Sequence, residues 1–176
     1  MKIEKVMELA LQIGFTHANP MDPATAVLRS EVRDMCAACS QYGLRWSCPP
    51  GCGDLEVLRQ RLAEYKEGVI LQTVGELEDD FDAENIMGTQ ELHKKQLHQL
   101  VKPLKEMFPD AQILGAGCCT VCKSCTYPDA PCRFPDMLMA SMEAWGMVVS
   151  DVCRDNGVKY YYGPQTIAYT SCILLK

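Results

Sequence analysis

The stretch GVILQTV, residues 68–74, is a short apolar run rich in branched side chains, and it predicts a buried β-strand. On its N-terminal side, apolar residues recur at three- and four-residue steps over 55–65, which predicts a helix with one apolar face. On its C-terminal side, the acidic segment 75–84 predicts a solvated loop, and a similar periodicity predicts a long helix over about 86–108. A strand between two helices indicates a protein with mixed helices and strands.

The rest of the chain extends this pattern. The residues predict an amphipathic helix over 2–13, an irregular connection over 19–23, a strand over 111–117, a helix from Pro135 to Gly146, and strands over 147–152 and 166–175. The alternation of these elements predicts the α/β class, with a small mixed sheet flanked by helices. With 176 residues, 48% of them hydrophobic, we expect a single domain over 1–176.

Charge and hydropathy exclude several classes of function. The formal net charge of -6 argues against a nucleic-acid surface, which needs basic residues to neutralise phosphates. The N-terminus reads as a charged helix rather than a signal peptide, and no segment approaches the roughly 18 apolar residues of a membrane span. We therefore expect a cytoplasmic protein that binds neither nucleic acid nor membranes.

Nine of the 11 cysteines are grouped in two segments, which we call loop one (residues 33–54) and loop two (residues 117–135). Thiols are kept reduced in the cytosol, so dense cysteine there favours metal ligation or redox chemistry over disulfides. The candidate metal ligands are Cys36, Cys39, Cys48 and Cys52 in loop one, and Cys119, Cys122, Cys125 and Cys132 in loop two. Cys118 is interpreted as a bystander, and Cys153 and Cys172 as small buried apolar residues.

Loop two favours an iron-sulfur cluster. Cys119, Cys122 and Cys125 are separated by two residues each, and Cys132 follows after six more residues, with Pro131 directly before it and Pro135 shortly after. Such a run can supply three corners of a [4Fe-4S] cluster while a more distant cysteine supplies the fourth, as in bacterial ferredoxin loops. Zinc sites more often take their ligands as two separated pairs, so zinc is the alternative here.

Loop one is less decisive. Its cysteines form two pairs, Cys36 with Cys39 and Cys48 with Cys52, and this spacing suits a four-cysteine zinc site as well as a [4Fe-4S] cluster. The Pro49-Pro50 pair directly after Cys48 favours the cluster, because proline rigidifies the backbone beside a ligand. We therefore expect two [4Fe-4S] clusters, with zinc as the alternative.

Several motifs together resemble a known family. They are Cys36, Cys39, Tyr42, Gly43, Cys48, Pro49 and Pro50 in loop one, the three closely spaced cysteines from Cys119, PCRFP at 131–135, and SMEAWG at 141–146. This combination looks like the family of predicted metal-binding proteins, domain of unknown function 2284. The resemblance implies prokaryotic, largely anaerobic, cytoplasmic proteins that bind metal through these cysteines. Cys52 and Cys118 lie outside the family pattern, and a loop-one site without Cys52 would leave one iron position open.

Three functions are consistent with these residues. The first is a redox protein whose two clusters exchange electrons with a partner enzyme, the acidic surface guiding the docking. The second is a zinc-binding structural or interaction module, and the third is an enzyme that uses an open cluster iron. Arg45 and Arg133 flank cysteines, where a cation offsets the charge of a thiolate-ligated cluster. His93 and His98 are expected at the surface of the long helix.

Overall fold

The computed structural model describes residues 1–176 and contains four strands and five α-helices. The strands are β1 (His17–Met21), β2 (Glu67–Glu76), β3 (Gln112–Leu114) and β4 (Thr166–Leu175). The helices are α1 (Lys2–Ile13), α2 (Ser30–Cys36), α3 (Leu55–Leu62), α4 (Ala83–Met107) and α5 (Val149–Asp155). The predictions for the first helix, the two long strands and the long helix are confirmed.

The four strands form one sheet in the order β1-β2-β4-β3, and every neighbouring pair is antiparallel. β2 and β4 are the central pair, and Val69 lies opposite Ile173 in their register. A single parallel bridge joins Gly115, just after β3, to Ser141. The predicted α/β class, a small sheet flanked by helices and carrying two cysteine-rich loops, is confirmed, but the sheet is antiparallel rather than mixed.

The sheet buries both of its faces because the central strands are apolar on both sides. Val69 and Leu71 of β2 face α1 and α4, whereas Ile70 between them faces α3, α5 and the segment 140–147. All three side chains are completely buried. Burial of each such side chain contributes about 1.5–3 kcal/mol, so the central pair of strands stabilises the layers on both sides.

A buried polar network links α4 to the sheet. His93 is fully buried, with its Nδ1 2.7 Å from Thr73 Oγ1 and its Nε2 2.7 Å from Ser171 Oγ. Thr73 donates to Gln96 Oε1 at 2.6 Å, and Gln96 in turn donates to the carbonyl of Gly14. Since the Thr73 hydrogen is used in that bond, Nδ1 of His93 carries a proton and Nε2 accepts from Ser171. The expectation that His93 is a surface residue is wrong, because these hydroxyls satisfy both of its ring nitrogens.

The segment predicted as irregular over 19–23 is mostly strand β1. Pro20 lies within it, opposite Val69 of β2. β1 is an edge strand, so the missing N–H of Pro20 costs no ladder hydrogen bond on the open side. Met21 ends the strand with a buried side chain that packs against the α3 side of the sheet.

The helix predicted from Pro135 to Gly146 is wrong. Two short 3-10 turns, Pro135–Met137 and Glu143–Trp145, are separated by an extended segment. The amide of Gly115 donates to the carbonyl of Ala140, and the amide of Met142 donates to the carbonyl of Gly115. These backbone groups pair with the chain beyond β3, so they are not available for a continuous helix.

The strand predicted over 147–152 is also wrong, since α5 occupies most of this segment. Val152 and Cys153 of α5 are buried against the sheet. A short apolar run fits a buried helix as well as a strand, and here the packing against β4 selects the helix. Finally, every helix of this chain is too short or too polar to cross a lipid bilayer.

Candidate metal centre

The two cysteine loops emerge on the same side of the molecule. Loop one begins inside the last turn of α2, whose final residue is Cys36, and ends at α3. Loop two starts three residues after β3, which is an edge strand of the sheet. The first residues of loop one are therefore helical rather than irregular, and the rest of both loops consists of turns and bends.

The two loops are held together by hydrogen bonds, which we call the loop interface. Arg45 donates from Nη1 to the carbonyl of Cys119 at 3.1 Å, and the amide of Cys119 donates to Ser47 Oγ at 3.0 Å. Trp46 donates from Nε1 to the carbonyl of Ala130 at 3.0 Å. Three consecutive residues of loop one thus bind loop two, and Ser47 is almost completely buried there.

Aromatic and glycine contacts complete the loop interface. The rings of Trp46 and Tyr127 meet edge to face, with their centroids 4.8 Å apart. Gly51 lies beneath the Tyr127 ring, and a Cβ at Gly51 would stand 3.0 Å from that ring and 2.6 Å from the carbonyl oxygen of Arg45. Only glycine fits this position without displacing its neighbours.

The four cysteines of loop one lie within electrostatic reach of one another. Burial raises the pKa of Cys36, Cys48 and Cys52, to about 11 for Cys52, and the charges of neighbouring loop-one cysteines add to the rise. The guanidinium of Arg33 acts in the opposite direction and lowers the pKa of Cys36 and Cys52. Cys39 is the exposed member of the group, and its charge also reaches Cys36 and Cys48. Loop one therefore gathers its thiols around a nearby cation.

Cys52 and Cys118 occupy positions that their sequence spacing did not indicate. Cys52 packs against the core beneath loop one and donates from Sγ to the carbonyl of Ala144 at 3.6 Å. Cys118 belongs to loop two, yet its charge raises the pKa of Cys48, after the larger effects of burial and of the Ser47 hydroxyl. Cys118 therefore lies beside the loop-one thiols.

In loop two, Cys119, Cys122 and Cys132 are half-buried and near one another. Burial raises the pKa of Cys119, and the charges of Cys132 and Cys122 add to it. The nearby backbone amides of Val121 and Met139 act in the opposite direction and partly offset that rise. Amide donors of this kind stabilise a thiolate, which is the form that binds metal.

Cys125 has the most favourable surroundings for a thiolate. Burial raises its pKa, but the nearby backbone amides of Trp46, Tyr127 and Thr126 lower it, and the charge of Arg45 adds to their effect. The pKa of Cys125 consequently lies below its ordinary value. Because Trp46 and Arg45 belong to loop one, that loop helps to build the site of loop two.

All 11 cysteines are free thiols, and Cys153 and Cys172 are fully buried, as predicted. No three His, Cys, Asp or Glu side chains stand in a geometry that holds a metal ion. The eight candidate thiols nevertheless fit a thiophilic metal or cluster by their chemistry: they lie in two loops, near cations and backbone amide donors. Of the two arginines expected beside the thiols, Arg45 lies there, whereas Arg133 donates to the carbonyl of Ser124.

Sequence reasoning missed the residues that join the loops. Trp46 and Ser47 immediately precede Cys48, and no sequence pattern marks them as contact residues. Their partners in loop two are more than seventy residues away along the chain. Arg33 was missed as well, although it lies three residues before Cys36 and donates to the carbonyls of Ala144 and Gly53.

The fold and the loops define a cysteine-rich metal-binding protein with an antiparallel sheet and two adjoining thiol loops. The chain belongs to the family of predicted metal-binding proteins, domain of unknown function 2284, whose model matches residues 19–175. The resemblance drawn from the motifs is thereby confirmed. No curated protein and no solved structure matches the chain.

Proposed function

We propose that the chain is an iron-sulfur protein that binds two [4Fe-4S] clusters and exchanges electrons with a partner protein. The proposed ligands are Cys36, Cys39, Cys48 and Cys52 for site one, and Cys119, Cys122, Cys125 and Cys132 for site two. The observation that carries the proposal is the loop interface, in which Arg45 lies within reach of thiols from both loops. Clusters bound at the two loops would supply one-electron carriers.

Electrons pass between two clusters only when the clusters are close together, because the rate of electron transfer falls steeply with the distance between them. Ser47 Oγ accepts from the amide of Cys119 and stands 3.6 Å from the sulfur of Cys48, so one hydroxyl touches a proposed ligand from each loop. A protein that only used metal to fasten its loops would have no need of such a direct path between the two thiol groups.

The surroundings of the thiols fit a redox role. Hydrogen bonds to ligand sulfurs and nearby cations raise the reduction potential of a cluster, because they stabilise the extra electron. Site two has backbone amides near Cys119 and Cys125, and site one has Arg33 beside Cys36. Arg45 contributes positive charge to both sites.

The partner is proposed to be a redox protein with a basic docking surface. The chain carries a net charge of -6, which attracts a positively charged partner over a distance and speeds its encounter. A cytoplasmic setting, in which free thiols persist, is part of the same proposal.

The proposal is tested by anaerobic purification followed by iron, sulfide and zinc analysis. We expect about eight irons and eight sulfides per chain, with about half lost in Cys39→Ser and the other half lost in Cys122→Ser. Cys153→Ala is the matched control, because Cys153 is fully buried outside the loops, and it should keep full iron. Stoichiometric zinc without sulfide would contradict the proposal and favour a zinc-binding structural module.

A further inference from the structure

A cavity of about 270 Å³ opens where the two loops meet the β3 edge of the sheet. Trp46 and Cys52 of loop one form one side, Leu138 lies after loop two, and Trp145 lies on the α3 side. Both tryptophans of the chain thus line this one cavity. Its volume suits a small molecule, since pockets for drug-sized ligands begin at about 300 Å³.

Two cations line the cavity without a carboxylate partner. Arg61 of α3 donates from Nη2 to Gln112 Oε1 at 2.6 Å, and Lys105 of α4 donates to the carbonyl of Ala111 at 2.5 Å and to that of Pro109 at 3.2 Å. Neither side chain forms a salt bridge. Arg61 and Lys105 are therefore hydrogen-bonded to the consecutive residues Gln112 and Ala111, and both of these residues line the cavity.

The carboxylates near the cavity do not neutralise the positive charges of Arg61 and Lys105. Asp136 is the only carboxylate that lines the cavity. Glu64 feels the charge of Arg61, but it is bound to Lys176 at 2.6 Å. One anionic and two cationic side chains therefore line the cavity of a protein whose overall charge is negative.

The remaining walls combine polar groups with apolar side chains, and eight of the 14 lining residues are hydrophobic. Trp145 is fixed in place, because it is almost completely buried and the guanidinium of Arg61 lies over its ring at 5.5 Å from the centroid. A ligand that satisfies both parts of the cavity has an anionic group at one end and an apolar body at the other.

We propose that this cavity binds a small organic carboxylate, with its carboxylate between Arg61 and Lys105 and its apolar body against Trp46 and Leu138. Gly51 and Cys52 also line the cavity, so the occupant lies directly beside the loop-one thiols. The site uses no proposed metal ligand to hold the carboxylate, and its binding can therefore be measured separately from metal content.

The test uses benzoate and benzamide, which have nearly the same shape but differ in charge. Each compound is titrated into the purified protein, and binding is measured by isothermal titration calorimetry. Benzoate should bind at least about tenfold more tightly than benzamide, and Lys105→Gln and Arg61→Gln should each weaken benzoate at least about tenfold. Lys102→Gln is the matched control, because Lys102 is an exposed lysine of α4 outside the cavity, and it should leave binding unchanged.

Three results would overturn the proposal. The first is that benzoate does not bind at concentrations up to about 10 mM, and the second is that benzamide binds as tightly as benzoate. The third is that inorganic phosphate binds as tightly as benzoate, because the apolar walls would then have no role in binding. Arg61→Gln also removes the contact with Trp145 and can lower stability. Lys105→Gln makes no such packing change, so unaltered benzoate affinity in that variant contradicts the proposal by itself.

Discussion

Gly51→Ala perturbs the loop interface at a single point. A methyl group at this position would stand 2.6 Å from the carbonyl oxygen of Arg45 and 3.0 and 3.1 Å from two ring carbons of Tyr127. Ordinary contacts between such atoms begin near about 3.5 Å, so the Arg45 carbonyl must retreat by about 1 Å. Arg45 and Trp46 donate hydrogen bonds to loop two, so this displacement of the Arg45 backbone should weaken the loop interface.

The expected cost is that of overpacking a well-filled site, about 1–3 kcal/mol of the free energy of unfolding. It arises from contact alone, because Gly51 does not adopt the left-handed backbone conformation that disfavours other residues. Loosened loops should also release their metal faster to a chelator, by about fivefold for each 1 kcal/mol that the interface loses.

The assay compares Gly51→Ala with Gly88→Ala, a matched control in α4. A Cβ at Gly88 meets nothing within 4 Å, so alanine there should be neutral or stabilise the helix by up to about 1 kcal/mol. Urea denaturation gives the free energy of unfolding, and the absorbance of the released metal-chelator complex gives the rate of loss. If Gly51→Ala matches wild type within about 0.5 kcal/mol and retains metal equally well, the loops do not pack as described.

Three further predictions concern single side chains. Arg45→Gln should lower the reduction potential of both sites by tens of millivolts in an EPR-monitored titration, because it removes a cation that both share; a shift at one site only would contradict this role. Cys52→Ser should lower the iron content from about eight to about four per chain while Cys118→Ser leaves it intact, and the reverse outcome would make Cys118 the ligand. Burial lowers the pKa of His93 to about 3. Below pH 6.5 the imidazole of His93 therefore binds a proton in the unfolded chain but stays neutral in the folded protein. His93 should therefore cost about 1.4 kcal/mol of stability for each pH unit below 6.5, about 2 kcal/mol at pH 5, and imidazole ¹⁵N NMR should find the ring still neutral there; a midpoint near 6.5 would refute it.

The two central strands and the longest helix were predictable because their residues follow local patterns. β2 contains the apolar run 69–71 and β4 the apolar run 172–175, and α4 has a clear apolar face that packs on the sheet. These patterns are local, and the packing of both sheet faces agrees with them. His93 was misjudged because only Ser171 and Thr73, on two different strands, explain how a histidine on α4 is fully buried.

The segment between Pro135 and Val152 was mispredicted because distant backbone groups determine its conformation. Its apolar spacing fits a helix, yet Ala140 and Met142 pair with Gly115 across the chain. No local pattern reports such pairing, and the same holds for the loop interface. The cysteine spacing identified the thiols, whereas the contact of Ser47 with loop two depends on how β3 and α2 place the loops.

The most direct test of adjacent clusters is EPR spectroscopy of the fully reduced protein. Two neighbouring clusters should give a spectrum broadened by magnetic interaction between their spins, and Cys122→Ser, which removes a ligand of site two, should leave the simple spectrum of one isolated cluster. Two results would contradict the proposal of adjacent clusters. One is a protein that contains zinc and gives no EPR signal, and the other is a spectrum that equals the sum of two isolated clusters.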